Sequence, residues 1–156
     1  MREATGGPVP RVYIDANVFI VAYETSGLDS LQAFDVLEAV EAGMIHGVSS
    51  ELTLGEILPG PLSNGEAELA AAYQNILSDA GNMTVLAITR DILISSAEMR
   101  VGRPGFKLQD AIHCATAREA NCDFLVSDDK RIPKTLGFKV VRFGPDTLKA
   151  ILGSSR

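Results

Sequence analysis

The sequence predicts an α/β protein, a three-layer α/β/α sandwich around a central parallel sheet of about five strands. Short β-branched and apolar runs alternate with stretches of helical period along the chain, the pattern of repeated βαβ units. Gly, Pro, Asp and Ser punctuate the junctions between them. The first strand-like run, Val12-Tyr13-Ile14, ends directly on Asp15. A carboxylate at the end of a core strand is poorly placed for stability, and it requires a partner: a cation, a donor network or a metal.

The elements follow in order. Arg11 to Ile14 reads as the first strand, bounded by Pro10 and Asp15, and Ala16 to Tyr23 as a short helix. Ser30 to Ala42 places Leu31, Phe34, Leu37 and Val40 on one face, an amphipathic helix capped by Ser30 and stopped by Gly43. Ile45 to Ser49 is the second strand. Glu51 to Leu58 is a short helix ended by Pro59-Gly60-Pro61. Gly65 to Ala80 carries a stripe of Leu69, Ala72, Tyr73, Ile76 and Leu77 and is closed by Gly81. Thr84 to Ile88 is the third strand and Arg90 to Val101 a helix, followed by the loop Gly102-Arg103-Pro104-Gly105. Leu108 to Ala120 is helical, Asp123 to Ser127 and Lys139 to Phe143 are strands four and five, and Asp146 to Leu152 is a closing helix.

A chain of 156 residues with 46% hydrophobic and 22% charged residues suits one globular domain. Residues 1–10 carry Gly6, Gly7, Pro8 and Pro10 without an apolar stretch, which predicts a flexible lead-in and no signal peptide. Residues 153–156 read as a flexible end. No apolar run reaches the length of a membrane span. Cys114 and Cys122 are too few and wrongly spaced for a zinc site or disulfide framework, and predict small core residues of a reduced, cytoplasmic protein.

The net charge of −6 is unevenly spread. Eleven acids and no Lys or Arg lie between Val12 and Thr89, while all 14 bases lie outside that stretch. Bases bunch at Arg100, Arg103 and Lys107 and again at Lys130, Arg131 and Lys134. Two solvated faces of opposite sign, or a basic rim for a polyanion, both follow from that distribution.

In βαβ units the C-terminal ends of the strands share one edge with the N-termini of the helices that follow. Asp15, Glu56, Asp110 and the pair Asp128-Asp129 all map to that edge. Each has a structural explanation on its own. Glu56 closes a capping box with Thr53, although a helix start near Ser50 is favoured because of Pro59. Asp110 complements a helix dipole, worth roughly 0.3–1 kcal/mol, and Asp128 or Asp129 caps the segment Lys130 to Thr135. Together they repel by roughly 4 kcal/mol per close pair at an effective dielectric near 20, which raises pKa values or recruits cations. An all-oxygen cluster suits a hard ion, Mg²⁺ or Mn²⁺. No base stands near Asp15 or Glu56 in sequence. His46, at the start of strand two, and His113, one turn inside the Asp110 helix, read as structural or surface histidines.

Four stretches in register resemble the PIN-domain family, and most closely its VapC-type toxins of prokaryotic toxin–antitoxin pairs. They are Tyr13-Ile14-Asp15-Ala16-Asn17, Ser50-Glu51-Leu52-Thr53-Leu54-Gly55-Glu56-Ile57, Leu108-Gln109-Asp110-Ala111-Ile112-His113-Cys114-Ala115-Thr116-Ala117, and Leu125-Val126-Ser127-Asp128-Asp129-Lys130. The resemblance implies a PIN-like domain over residues 11–152 with strand order 3-2-1-4-5. It implies Asp15, Glu56 and Asp110 as an acidic triad, and Asp129 as the fourth acid with Ser127 as the neighbouring hydroxyl. Asp128, where the family often has asparagine, shares or exchanges that role. Asn17 matches the polar residue that orients the first acid, and Gln109 stands where proline is common.

The activity implied is metal-dependent hydrolysis of RNA, with Mg²⁺ or Mn²⁺ held by Asp15 and Asp110, and Glu56 and Asp129 direct or through water. Arg103, Lys107, Lys130 and Arg131 flank the third and fourth acids and are expected to hold the phosphate backbone. The implied partners are a VapB-like antitoxin and a second copy of the chain. A non-toxin PIN nuclease shares every motif quoted, and a non-catalytic binding module keeps the fold. An aspartyl-phosphate protein ranks below these, because Asn17 stands where its second acid is required and Lys139 lies at the wrong end of strand five.

Overall fold

The computed structural model describes residues 8–153. The chain runs β1 (Arg11–Ile14), α1 (Ala16–Glu24), α2 (Leu28–Glu41), β2 (His46–Ser50), α3 (Glu51–Ile57), α4 (Pro59–Asn64) and α5 (Ala67–Ile76). It continues through β3 (Met83–Leu86), α6 (Arg90–Arg100), α7 (Leu108–Glu119), β4 (Phe124–Val126), β5 (Lys139–Val141) and α8 (Thr147–Gly153). The five strands form one parallel sheet in the order β3-β2-β1-β4-β5, as expected.

Strand alternation divides the core into two layers. Val12, Ile14, Phe124 and Val126 point to one face and meet Phe19, Val36, Tyr73 and Ile151 of α1, α2, α5 and α8. Tyr13, Val48 and Leu125 point to the other and meet Ile92, Ala111, Cys114 and Ala115 of α6 and α7. Both cysteines are free and buried, and burial pushes each thiol up to about 12. That fits their expected place as small core residues.

Several predicted boundaries move. α2 starts at Leu28, and Ser30 does not cap it; the Ser30 hydroxyl instead donates to the Ala22 carbonyl and ties α2 to α1. Pro59 does not simply end a helix. It opens the short α4, where a missing N–H is harmless, and Gly65 closes α4 in the left-handed region at φ 71°. α5 therefore begins at Ala67, and Gly81 plays no part in its C-terminus. Most of the predicted lead-in, residues 1–7, and of the predicted flexible end, residues 154–156, lies outside the described residues. Pro10 itself is buried, and its carbonyl accepts from His46 N–H at 2.8 Å, so the packed region starts before Arg11.

Gly47 in β2 permits the close approach of α2 to the sheet. A Cβ there meets Met83 Sδ at 2.8 Å and the two γ carbons of Val40 at 3.1 and 3.2 Å. Met83 is able to swing away, but Val40 is stiff at χ1 in a helix. Gly47→Ala is expected to lower stability by about 1–3 kcal/mol, measured by urea unfolding; an unchanged midpoint contradicts it.

Candidate functional site

β1 and β4 lie side by side, with Ile14 beside Val126, so their C-terminal ends open on a common crevice. The chain leaves β1 through Asp15, which caps α1. Asp15 Oδ1 accepts the Ala16 amide at 2.7 Å, and Oδ2 accepts the Ser127 hydroxyl at 2.8 Å. Ser127 is buried just beyond β4, and its oxygen also accepts the Asp129 amide at 3.2 Å. One hydroxyl thus fastens the first acid to the loop carrying the fourth. The two donors fix the rotamer of Asp15. Asn17, expected to orient this carboxylate, is exposed in the first turn of α1 and makes no hydrogen bond to it among the described residues.

Asp110 is the third residue of α7. Its carboxyl is pushed above the usual range, first by burial, then by the negative charge of Asp129, and also by that of Asp15; Arg131 and His113 oppose the shift. Its Oδ2 is buried without a hydrogen-bond partner among the described residues. A buried carboxylate oxygen left unsatisfied is costly, and this one adjoins two further acids.

Asp129 is held in the opposite direction. Arg131 clamps it through Nε to Oδ1 at 3.0 Å and Nη2 to Oδ2 at 2.9 Å, and donates its backbone amide to Oδ1 at 2.9 Å. This guanidinium holds the Asp129 carboxyl below its usual range. Asp128 is exposed and is not among the charges acting on Asp110, so of the adjacent pair the fold brings Asp129 to Asp110.

Glu56 arrives from α3. Ser50 caps that helix, its oxygen accepting the Leu52 amide at 3.1 Å, which is the earlier start expected over a Thr53 capping box. The Glu56 carboxylate meets His113 Nε2 at 2.5 Å, and the same nitrogen stands 3.9 Å from Asp15 Oδ1. No base stands near Asp15 or Glu56 in sequence, but the fold brings His113 to both; of the structural or surface places expected for this histidine, the surface one is excluded. His113 is buried between two of the acids. Its position three residues after Asp110 was the available signal, since i and i+3 share a helix face.

The four expected phosphate-binding bases separate. Lys107 and Lys130 are exposed. Arg131 is exposed too, but engaged by Asp129. Arg103 is half-buried, and its Nη1 donates to the Met99 carbonyl at 2.6 Å, capping the end of α6.

The oxygens suit a hard cation, although the acids do not close a ready-made cage. Among the described residues, no group of three His, Cys, Asp or Glu is arranged to hold a metal ion. Mg²⁺ does not require one, because it retains several waters and takes one or two carboxylates. The unpartnered Asp110 oxygen, with Asp15 and Asp129 acting on it through space, fits that mode. Ser127→Ala frees Asp15 from its second donor, and is expected to weaken Mn²⁺ binding by roughly 10–100-fold in calorimetric titration. Unaltered affinity contradicts this. A separate groove of about 520 Å³, lined by Tyr23, Phe34, Leu37, Glu38, Ile76 and Met83 among others, contains none of these acids.

A family model described as PIN domain matches residues 12–137. No curated protein matches the chain. Among solved structures, a toxin–antitoxin complex from Klebsiella pneumoniae is 24% identical, with a TM-score of 0.62 over 83% of this chain and 95% of that one. VapBC2 from Rickettsia felis, bound to a DNA fragment from its promoter, is 17% identical, with a TM-score of 0.64 over 86% and 99%. VapC20 from Mycobacterium tuberculosis, a sarcin–ricin loop cleaving toxin, is 16% identical, with a TM-score of 0.59 over 73% and 86%. At these identities the structural likeness speaks for the fold.

Proposed function

The chain belongs to the PIN-domain family, and on that premise we propose that it is a metal-dependent endoribonuclease, the toxin of a VapBC-type pair. The observation that carries this reading is the unpartnered, buried oxygen of Asp110 beside Asp15 and Asp129, at the C-terminal edge of a parallel sheet. Such an edge is where open α/β sheets bind ligands.

Asp15 and Asp110 hold Mg²⁺ or Mn²⁺, with Glu56 and Asp129 acting directly or through water. The bound cation supplies charge neutralisation at a phosphoryl oxygen and activation of the attacking water. The protein's part is positional. Ser127 and the Ala16 amide keep Asp15 in one rotamer, Arg131 keeps Asp129 ionised and aimed, and burial shields Oδ2 of Asp110 from solvent. Lys107 and Lys130 remain available to the phosphate backbone. Arg131 serves Asp129 first.

The toxin role is supported by the toxin–antitoxin complexes among the structural neighbours. The acidic stretch between Val12 and Thr89 suits a basic antitoxin segment, and a homodimer is the proposed assembly. No helix among the described residues is long and apolar enough to cross a membrane; a cytoplasmic location is part of the proposal.

The test is cleavage of RNA by the purified chain with Mg²⁺, with Mn²⁺ and with chelator. Cleavage is expected only with metal, and is expected to vanish in Asp15→Asn. Persistence in chelator, or in that variant, sinks the mechanism, while metal binding without any cleavage favours a binding module. Growth arrest on expression, relieved by the product of the neighbouring open reading frame, tests the toxin role.

A further inference from the structure

We propose that His113 is a positioning residue: donating from Nε2, it holds one oxygen of Glu56 against the acid crevice, and Tyr13 fixes the imidazole that does so. The inference rests on the metal-site reading above, but not on the identity of the RNA.

The partners of the two ring nitrogens carry the proposed arrangement. His113 Nε2 lies 2.5 Å from Glu56 Oε1, and Nδ1 lies 2.5 Å from the Tyr13 hydroxyl. An ionised carboxylate only accepts, so Nε2 carries a proton and donates. With the proton of a neutral imidazole on Nε2, Nδ1 accepts from the phenol hydroxyl. Tyr13 is fully buried, and burial together with Asp15 keeps its hydroxyl protonated. Behind Tyr13 lie the hydroxyls of Thr53 and Ser49, 2.9 Å apart, with Ser49 also donating to the Ile14 carbonyl at 3.1 Å. Donation then runs from Tyr13 to His113 and from His113 to Glu56. Ser49, Thr53 and Tyr13 are entirely buried and His113 nearly so, which makes each link hard to replace with solvent.

Two consequences separate this from an ordinary satisfied core histidine. First, both ring nitrogens are occupied, so His113 is not itself a metal ligand, although it sits between Glu56 and Asp15. Second, the far end of the chain is the side chain of Glu56, one-third exposed on a different helix. A carboxylate in that position is free to sample many rotamers, and ordering it costs conformational entropy. His113 fixes Oε1, and Oε2 is left without a hydrogen-bond partner among the described residues. Glu56 therefore keeps Oε2 as its unengaged oxygen. A residue of β1 two positions before Asp15 thus sets the aim of an acid on α3.

The experiment compares His113→Leu, His113→Gln and Tyr13→Phe with wild type in the full chain. Three quantities are read: Mn²⁺ affinity by electron paramagnetic resonance, kcat and KM for RNA cleavage, and the ¹⁵N resonances of His113. His113→Leu is expected to lower Mn²⁺ affinity and kcat by roughly 10–100-fold, the usual effect of losing a ligand's orienting partner, with KM little changed. His113→Gln, which restores a donor toward Glu56, recovers most of the loss. Tyr13→Phe gives a smaller loss and shifts the His113 Nδ1 resonance.

A folded His113→Leu with wild-type Mn²⁺ affinity and kcat overturns the proposal, as does a wild-type spectrum with the proton on Nδ1. Should His113→Leu fail to fold, Tyr13→Phe decides: unchanged affinity together with unchanged ¹⁵N resonances overturns it. Failure of the nuclease reading is distinct. A wild type that cleaves no RNA still reports on His113 through Mn²⁺ binding and the spectrum.

Discussion

Asp110→Asn is expected to lower metal-dependent RNA cleavage by about a thousandfold while raising the stability of the metal-free protein. The first effect follows from removing a charge proposed to hold the cation. Charge stabilisation of a phosphoryl transition state is worth several kcal/mol, and about 4 kcal/mol corresponds to roughly a thousandfold in rate. The second follows from the environment of the carboxyl, which burial and the charges of Asp129 and Asp15 push above its ordinary range. An acid with a raised folded-state pKa binds its proton more tightly folded than unfolded. Its favourable contribution is complete below the ordinary carboxylate range and is lost as pH rises through the folded value. At neutral pH the ionised side chain is a net cost in the absence of metal. An asparagine removes that cost, so the variant's melting midpoint should exceed that of wild type in chelator. Added Mn²⁺ should raise the wild-type midpoint and leave the variant's nearly unmoved, because only a ligand of the native state stabilises it. Scanning calorimetry with and without Mn²⁺ measures both. A variant less stable than wild type in chelator contradicts the electrostatic account, and a variant that still cleaves contradicts the role of Asp110.

Phe19→Ala is expected to cost about 3–5 kcal/mol, the usual range for emptying a buried aromatic site. Phe19 is fully buried, and it anchors α1 to the layer that contains Ile14 and Val126. For a domain of this size the loss corresponds to a fall of roughly 10 °C in Tm. α1 is also the helix whose N-terminal cap is Asp15. Removing its anchor loosens the element that begins at the first acid. Cleavage measured well below the lowered midpoint should persist, since Asp15 retains its bonds to Ser127 and the Ala16 amide. Chemical denaturation gives the free energy, and a loss under about 1 kcal/mol contradicts this assignment of the core.

Much of the fold was legible because it depends on local periodicity. Val12, Tyr13 and Ile14 alternate between two apolar layers, and such runs identify a strand whatever they pack against. Helix ends were less legible where one residue type serves two purposes. Pro59 reads as a stop and is a start, and Ser30 reads as a cap and is a bond between helices. Placing the acids at a shared edge required only that strand ends precede helix starts. Choosing between Asp128 and Asp129 required the Ser127 oxygen, which takes the Asp129 amide, and the guanidinium that grips its carboxylate.

The sequence by itself therefore determined the α/β class, the succession of strands and helices, and the convergence of Asp15, Glu56 and Asp110 on one edge. Those properties follow from short-range pattern and from the geometry common to parallel sheets. Only the tertiary structure decided who neutralises whom. Ser127 reaches Asp15 across 112 residues, and His113 reaches Glu56 across 57. Contacts of that span depend on sheet register and on single rotamers, neither of which leaves a periodic trace in the chain. His113 shows the difference most plainly. In the sequence it reads as a structural or surface histidine on α7, and in the folded protein it stands between two of the acids.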